Sequence, residues 1–171
     1  VRISTSNDVE ALMDRVWRVA KSQFGTGRAA AVSATAIAAA TENVIDHAQS
    51  PFGAYVSAQR YQRSRVELAV VDLGHGIPAT LRQNPSHVGL SDLEALERAL
   101  DDGISSVCDP GRGAGLAELV KGIAQAGNSS LRLRSGRAEL ALGWENGNEQ
   151  RNRTVPAYPV RGTWISVILE P

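Results

Sequence analysis

Apolar and polar positions follow two distinct periods along this chain of 171 residues. Val9, Leu12, Val16, Val19 and Ala20 recur at helical spacing, predicting an amphipathic helix over 8–23 with Asp8 as its N-cap. Gly25 and Gly27 end it. An alanine-rich stretch from Arg28 to about Ala48 predicts a narrow second helix, closed by Pro51 and Gly53. Residues 54–60 and 65–72 read as two antiparallel strands joined by a short polar turn. After Pro78 the pattern dissolves until Ser91 and Glu94, which have the spacing of a capping box. They predict a helix over 91–102 in which Leu93, Leu96, Leu100 and Ile104 share a face, with Gly103 as its stop. A further helix runs to about Ala126, its buried stripe being Leu116, Leu119, Val120 and Ile123. Leu131 to Leu142 alternates about Ser135 and Gly136 as a hairpin should. Residues 144–159 are polar and predict a loop. Gly162 to Leu169 predicts a closing strand.

Helices interleaved with largely antiparallel strands favour an α+β fold, a two-layer α/β sandwich, over a doubly wound parallel sheet. The length suits one domain spanning 1–171. Eighteen Lys and Arg balance eighteen Asp and Glu, so no net field points to nucleic acid or an acidic membrane. The single cysteine, Cys108, excludes an internal disulfide and has no thiol partner for zinc. The three histidines form no spaced metal pair. No apolar run approaches the roughly 20 residues of a membrane span, and no signal peptide is visible, so the expected location is cytoplasmic. Trp17, Trp144 and Trp164 read as packing residues.

Three stretches carry candidate chemistry. The first is Val66 to Pro78, a β-branched and aliphatic run that breaks at Asp72 into a turn containing Gly74 and Gly76. A carboxylate at the end of a buried strand is costly unless it is hydrogen-bonded. Asp72 can cap local amides, or accept from an exocyclic amine such as that of adenine. On the alanine-rich helix, Ala39, Asn43 and His47 lie four apart, with Asp46 three beyond Asn43. This stripe either meets solvent or places the Asn43 oxygen on a magnesium ion, a hard cation that takes oxygen ligands. Third, Gly111, Gly113 and Gly115 precede a helix, where backbone amides and the helix dipole suit phosphate. Arg112 can add a charge-assisted contact there. The alternative is a plain glycine linker. No P-loop pattern occurs, and Leu116 stands where the dinucleotide fingerprint needs glycine.

In order, these stretches resemble the ATP-binding domain shared by gyrase B, heat-shock chaperones, sensor histidine kinases and MutL, the GHKL or Bergerat group. Ala40 to Ala48 is similar to its asparagine box, and Asp72 to Pro78 to its Asp-x-Gly-x-Gly-Ile box. Gly111 to Leu116 is similar to its second glycine box, and Gly162-Thr163 to its late Gly-Thr. The resemblance implies helices on one face of a mixed, mainly antiparallel sheet, with ATP between the helices and a lid at about 79–110. It implies that Asp72 reads adenine, Asn43 binds magnesium, and Gly74 and Gly76 shape the adenine floor beside Ile77. Gly111, Arg112, Gly113, Gly115 and Leu116 would approach the phosphates, and Thr163 would back Asp72.

One departure matters. Hydrolytic members carry a glutamate four residues before the box asparagine, and here that position is Ala39, which cannot accept a proton. Glu42 lies about 100° around the helix from Asn43, and Asp46 and His47 occupy other places, so these three are only substitute candidates and no catalytic base is assigned. The expectation is an ATP–magnesium domain acting as a signalling phosphotransferase or slow ATPase. The alternative is a non-hydrolysing nucleotide sensor that gates binding of a protein partner or neighbouring domain. A third is a scaffold with an empty pocket.

Overall fold

The computed structural model describes residues 1–24, 38, 40, 41, 50–61, 65–101, 103, 104 and 115–170. Ala39, Glu42, Asn43, Asp46, His47, Cys108, Gly111, Arg112 and Gly113 lie outside them.

Seven strands form one sheet in the order β1-β2-β3-β7-β4-β5-β6. They are β1 (Arg2–Ile3), β2 (Ala54–Arg60), β3 (Val66–Asp72), β4 (Asn128–Gly136), β5 (Ala138–Glu145), β6 (Asn148–Thr154) and β7 (Val160–Glu170). Every pairing among these strands is antiparallel. The fold is α+β, with a core between the sheet and its helices. β3 shows why: Val66, Leu68 and Val70 are buried and alternate with partly exposed Glu67, Ala69 and Val71. Ile165, Val167 and Leu169 continue the buried face on β7, as do Leu131 and Leu133 on β4 and Leu140, Leu142 and Trp144 on β5. Period-2 alternation needs one covered face, and the helices supply the cover.

Helix α1 (Ser6–Phe24) buries Val9, Leu12 and Val16. Its N-cap differs from expectation. The Thr5 hydroxyl accepts from the Asp8 amide at 3.3 Å, and Asp8 Oδ2 accepts from the Thr5 amide at 2.8 Å. Thr5 is therefore the cap, and Asp8 is its reciprocal partner inside the first turn. These bonds to the Ser4 amide, the Thr5 hydroxyl and the Thr5 amide hold the Asp8 carboxyl below its ordinary value. Ala38, Ala40 and Thr41 are helical, with Ala40 and Thr41 buried.

The stretch after Pro78 is more ordered than its sequence predicts. Helix α2 (Ile77–Leu81) and a 3-10 turn (Pro85–His87) precede helix α3 (Asp92–Arg98). Prolines near the start of both short elements fix φ without losing a needed donor. The Ser91–Glu94 capping box is present in both directions, at 3.2 Å and 2.7 Å. Helix α3 ends before Gly103, and Leu96 and Ala99 enter the core. Helix α4 (Gly115–Ala124) buries Leu116, Leu119 and Ile123, with Val120 partly buried. The Ile123 carbonyl at the helix end accepts from the Ala126 amide at 3.0 Å and from the Ser129 hydroxyl at 2.8 Å, which ties the end of α4 to β4.

Two further expectations are corrected. Residues 148–154 are not a loop but edge strand β6, paired with β5 from Glu145↔Asn148 to Glu139↔Thr154. All seven of its residues are exposed, so no apolar alternation marks it. Only Trp144 of the three tryptophans is buried; Trp17 is 38% and Trp164 44% exposed. Among the described residues, no helix is long and apolar enough to cross a membrane.

Candidate functional site

Three polar side chains interrupt the buried face at one end of three neighbouring strands. Asp72 follows Val66, Leu68 and Val70 on β3; Thr163 precedes Ile165 on β7; Ser135 follows Leu131 and Leu133 on β4. Asp72 and Ser135 are 0% exposed and Thr163 is 2% exposed. Ser135 and Thr163 are directly paired across β4 and β7. The β3–β7 register ends at Val71↔Trp164, so the next residues along each strand are Asp72 and Thr163.

Asp72 is held from two sides. Its Oδ1 accepts from the Gly74 amide at 2.7 Å, within its own turn. Its Oδ2 accepts from the Thr163 amide at 3.1 Å. The Thr163 hydroxyl also bonds the carboxylate. Burial pushes the Asp72 carboxyl above its ordinary value; the bonds to Gly74 and Thr163 oppose that rise without cancelling it. The group is a fixed acceptor, bound by dipoles at the end of an apolar face.

Gly162 makes this geometry possible. The β4–β7 register passes from Ser135↔Thr163 to Gly136↔Val160, leaving Arg161 and Gly162 as a bulge. Gly162 adopts φ +74°, and a Cβ there would lie 2.6 Å from the Asp72 carbonyl carbon and from Oδ1. A backbone without a side chain is needed for the two strands to approach this closely. Gly76, at φ +79°, is packed in the same manner: its Cβ would meet Ser135 Oγ at 2.5 Å and the Gly162 carbonyl oxygen at 2.8 Å.

Ser135 joins these two turns. Its Oγ accepts from the Ile77 amide at 2.9 Å and donates to the Gly162 carbonyl at 2.7 Å. The next two residues tie the site to α3. Asp92 Oδ2 accepts from the Arg137 amide at 2.7 Å, and Oδ1 pairs with Arg82 Nη2 at 2.6 Å. A Cβ on Gly136 would meet Asp92 Oδ2 at 2.5 Å, so the turn is shaped to admit this carboxylate. Burial raises the Asp92 carboxyl, but the Arg137 amide and the Arg82 guanidinium outweigh it and hold the group below its ordinary value.

Of the residues singled out in the sequence, the structure therefore brings together Asp72, Gly74, Gly76, Ile77 and Thr163. His75, within the same turn, is exposed. Gly115 and Leu116 stand at the start of α4, Gly115 exposed and Leu116 in the core. Asn43 and Gly111 to Gly113 are outside the described residues. Ser135 was missed. Its signal was present, as a small polar residue at an inward position directly after Leu131 and Leu133.

No protein-family model matches the chain, and no curated protein matches it. Among solved structures it is similar to a mycobacterial sensor histidine kinase, MprB, at 19% identity and a TM-score of 0.45, over 94% of this chain and 93% of that one.

Proposed function

We propose that this chain is an ATP-binding domain of a signalling protein, with Asp72 as the acceptor for the exocyclic amine of adenine. The observation that carries this reading is the buried, doubly braced Asp72 carboxylate at the end of β3, inside the glycine turn that the sequence resemblance marks. A carboxylate offers about four lone-pair positions. The Gly74 amide, the Thr163 amide and the Thr163 hydroxyl occupy three of them, which leaves room for one further donor. Because Asp72 has no exposed surface, a purine amine reaches it only with a local rearrangement of the site. Nucleotide binding is therefore coupled to local opening.

In this reading Asn43 would supply an oxygen to the magnesium that accompanies the phosphates, with Gly111, Arg112 and Gly113 near those phosphates. Ala39 at the usual base position favours slow turnover or none. Transfer to an acceptor outside this chain, and a sensor that only binds, both accommodate that alanine. Labelled phosphate on a partner protein would select transfer.

The deciding experiment is a thermal-shift titration with MgATP and, as control, MgGTP. Ligand at about 100 times its Kd stabilises by ~2.7 kcal/mol, which for a domain of this size is a rise of about 5–11 °C. Asp72→Asn should abolish the ATP response. A parent protein unmoved by millimolar ATP would leave Asp72 as a structural brace.

A further inference from the structure

Ser135 is a hydroxyl at an inward position of β4, directly after the buried Leu131 and Leu133. An unpaired hydroxyl there would be costly, but both of its functions are used. It accepts from the Ile77 amide at 2.9 Å and donates to the Gly162 carbonyl at 2.7 Å. A serine hydroxyl has one proton, and here that proton is on the Gly162 side. At the 3.5 Å approach of Ser135 Oγ to Thr163 Oγ1, only Thr163 has a proton to offer. The Thr163 hydroxyl also interacts with the Asp72 carboxylate, favouring its charged form.

We infer that Ser135 is the positioning residue of the Asp72 site. Its hydroxyl clamps the Gly162–Thr163 peptide to the Gly76–Ile77 turn, and so points the Thr163 amide and hydroxyl at Asp72. Donors oriented in this way favour the charged, accepting form of Asp72. An acceptor suits a ligand edge bearing an amine and disfavours one bearing a carbonyl oxygen. This ligand preference rests on the nucleotide reading; the positioning role does not. At Asp72 the interactions from the described residues are burial and the bonds to Gly74 and Thr163, with no charge–charge contribution.

The test is a carbon-13 NMR titration of the Asp72 carboxyl in ligand-free protein, comparing the parent with Ser135→Ala and Ser135→Cys. Loosening Thr163 weakens the bonds that favour the charged form. The Asp72 midpoint should therefore move upward in Ser135→Ala and move less in Ser135→Cys, whose thiol is a weaker donor. An Asp72 midpoint equal to that of the parent, in a variant that has only lost thermal stability, would overturn the inference. Should Ser135→Ala fail to fold, the same criterion applied to Ser135→Cys decides. On the nucleotide reading, MgATP affinity should fall about tenfold in Ser135→Ala. A shifted midpoint in a protein whose parent does not bind ATP would uphold the positioning role and refute the ligand.

Discussion

Gly162→Ala is the substitution whose effect follows most directly from the geometry. The added methyl stands 2.6 Å from the Asp72 carbonyl carbon and Oδ1, and closer still to the carbonyl oxygen. Two of these atoms are backbone, and the third, Oδ1, is pinned by the Gly74 amide at 2.7 Å. Restoring ordinary contact requires β3 and the β7 bulge to separate by close to an ångström. Two costs follow. A residue with a Cβ held at φ +74° costs roughly 1–2 kcal/mol. The Thr163 amide bond to Asp72, already 3.1 Å long, stretches, and losing a hydrogen bond to a charged group costs about 1.5–3 kcal/mol. Together they give about 3–5 kcal/mol, a large share of the ~5–15 kcal/mol by which a domain is stable. The expected fall in Tm is about 6–20 °C. The assay is thermal and urea unfolding followed by circular dichroism and tryptophan fluorescence, with Gly143→Ala as control. A Cβ on Gly143 has nothing within 4 Å, so that variant should stay within about 0.5 kcal/mol of the parent. If Gly162→Ala melts within about 2 °C of the parent, the close approach of β7 to Asp72 is wrong.

The carboxylates of Asp72 and Asp92 predict opposite pH dependences. Asp72 is raised in the fold, so its contribution is fully present below the unfolded value of 3.8 and is lost as pH rises through the folded value. The stability of the parent relative to Asp72→Asn should therefore decline upward from pH 3.8 and then level; urea melts across pH 3.5–8 (roughly the range over which carboxylates titrate) check this, and a relative stability that grows with pH contradicts it. Asp92 is lowered, so its contribution is present above 3.8 and is lost as pH falls. Asp92→Ala should cost about 1–3 kcal/mol near neutrality through the lost bonds to the Arg137 amide and the Arg82 guanidinium, and the deficit should narrow in acid. A deficit unchanged between pH 7 and pH 3 (about one unit below an ordinary carboxylate) would show that Asp92 acts only by its shape.

The local signals in this chain were strong where one residue's chemistry decides the structure. Alternation in 66–72 and 131–142, the Ser91–Glu94 box and the stripe on α4 all determine their elements without help from the rest of the chain. So does the placement of an acidic residue and two glycines at the end of β3. Tertiary structure decided what depends on residues far apart. Strand β6 has no covered face, so its polar sequence has no period, and only pairing with β5 makes it a strand. The last strand, β7, lies between β3 and β4, and no local pattern dictates that order. This order brings Thr163 to Asp72, 91 residues earlier, and Gly162 to Ser135, 27 residues earlier. Sequence could supply the carboxylate, but the bulge at Gly162 and the hydroxyl of Ser135 give it an orientation. Those contacts exist only once the sheet has closed, because hydrogen bonds in a buried cluster are fixed by the approach of backbones rather than by any residue's own preference.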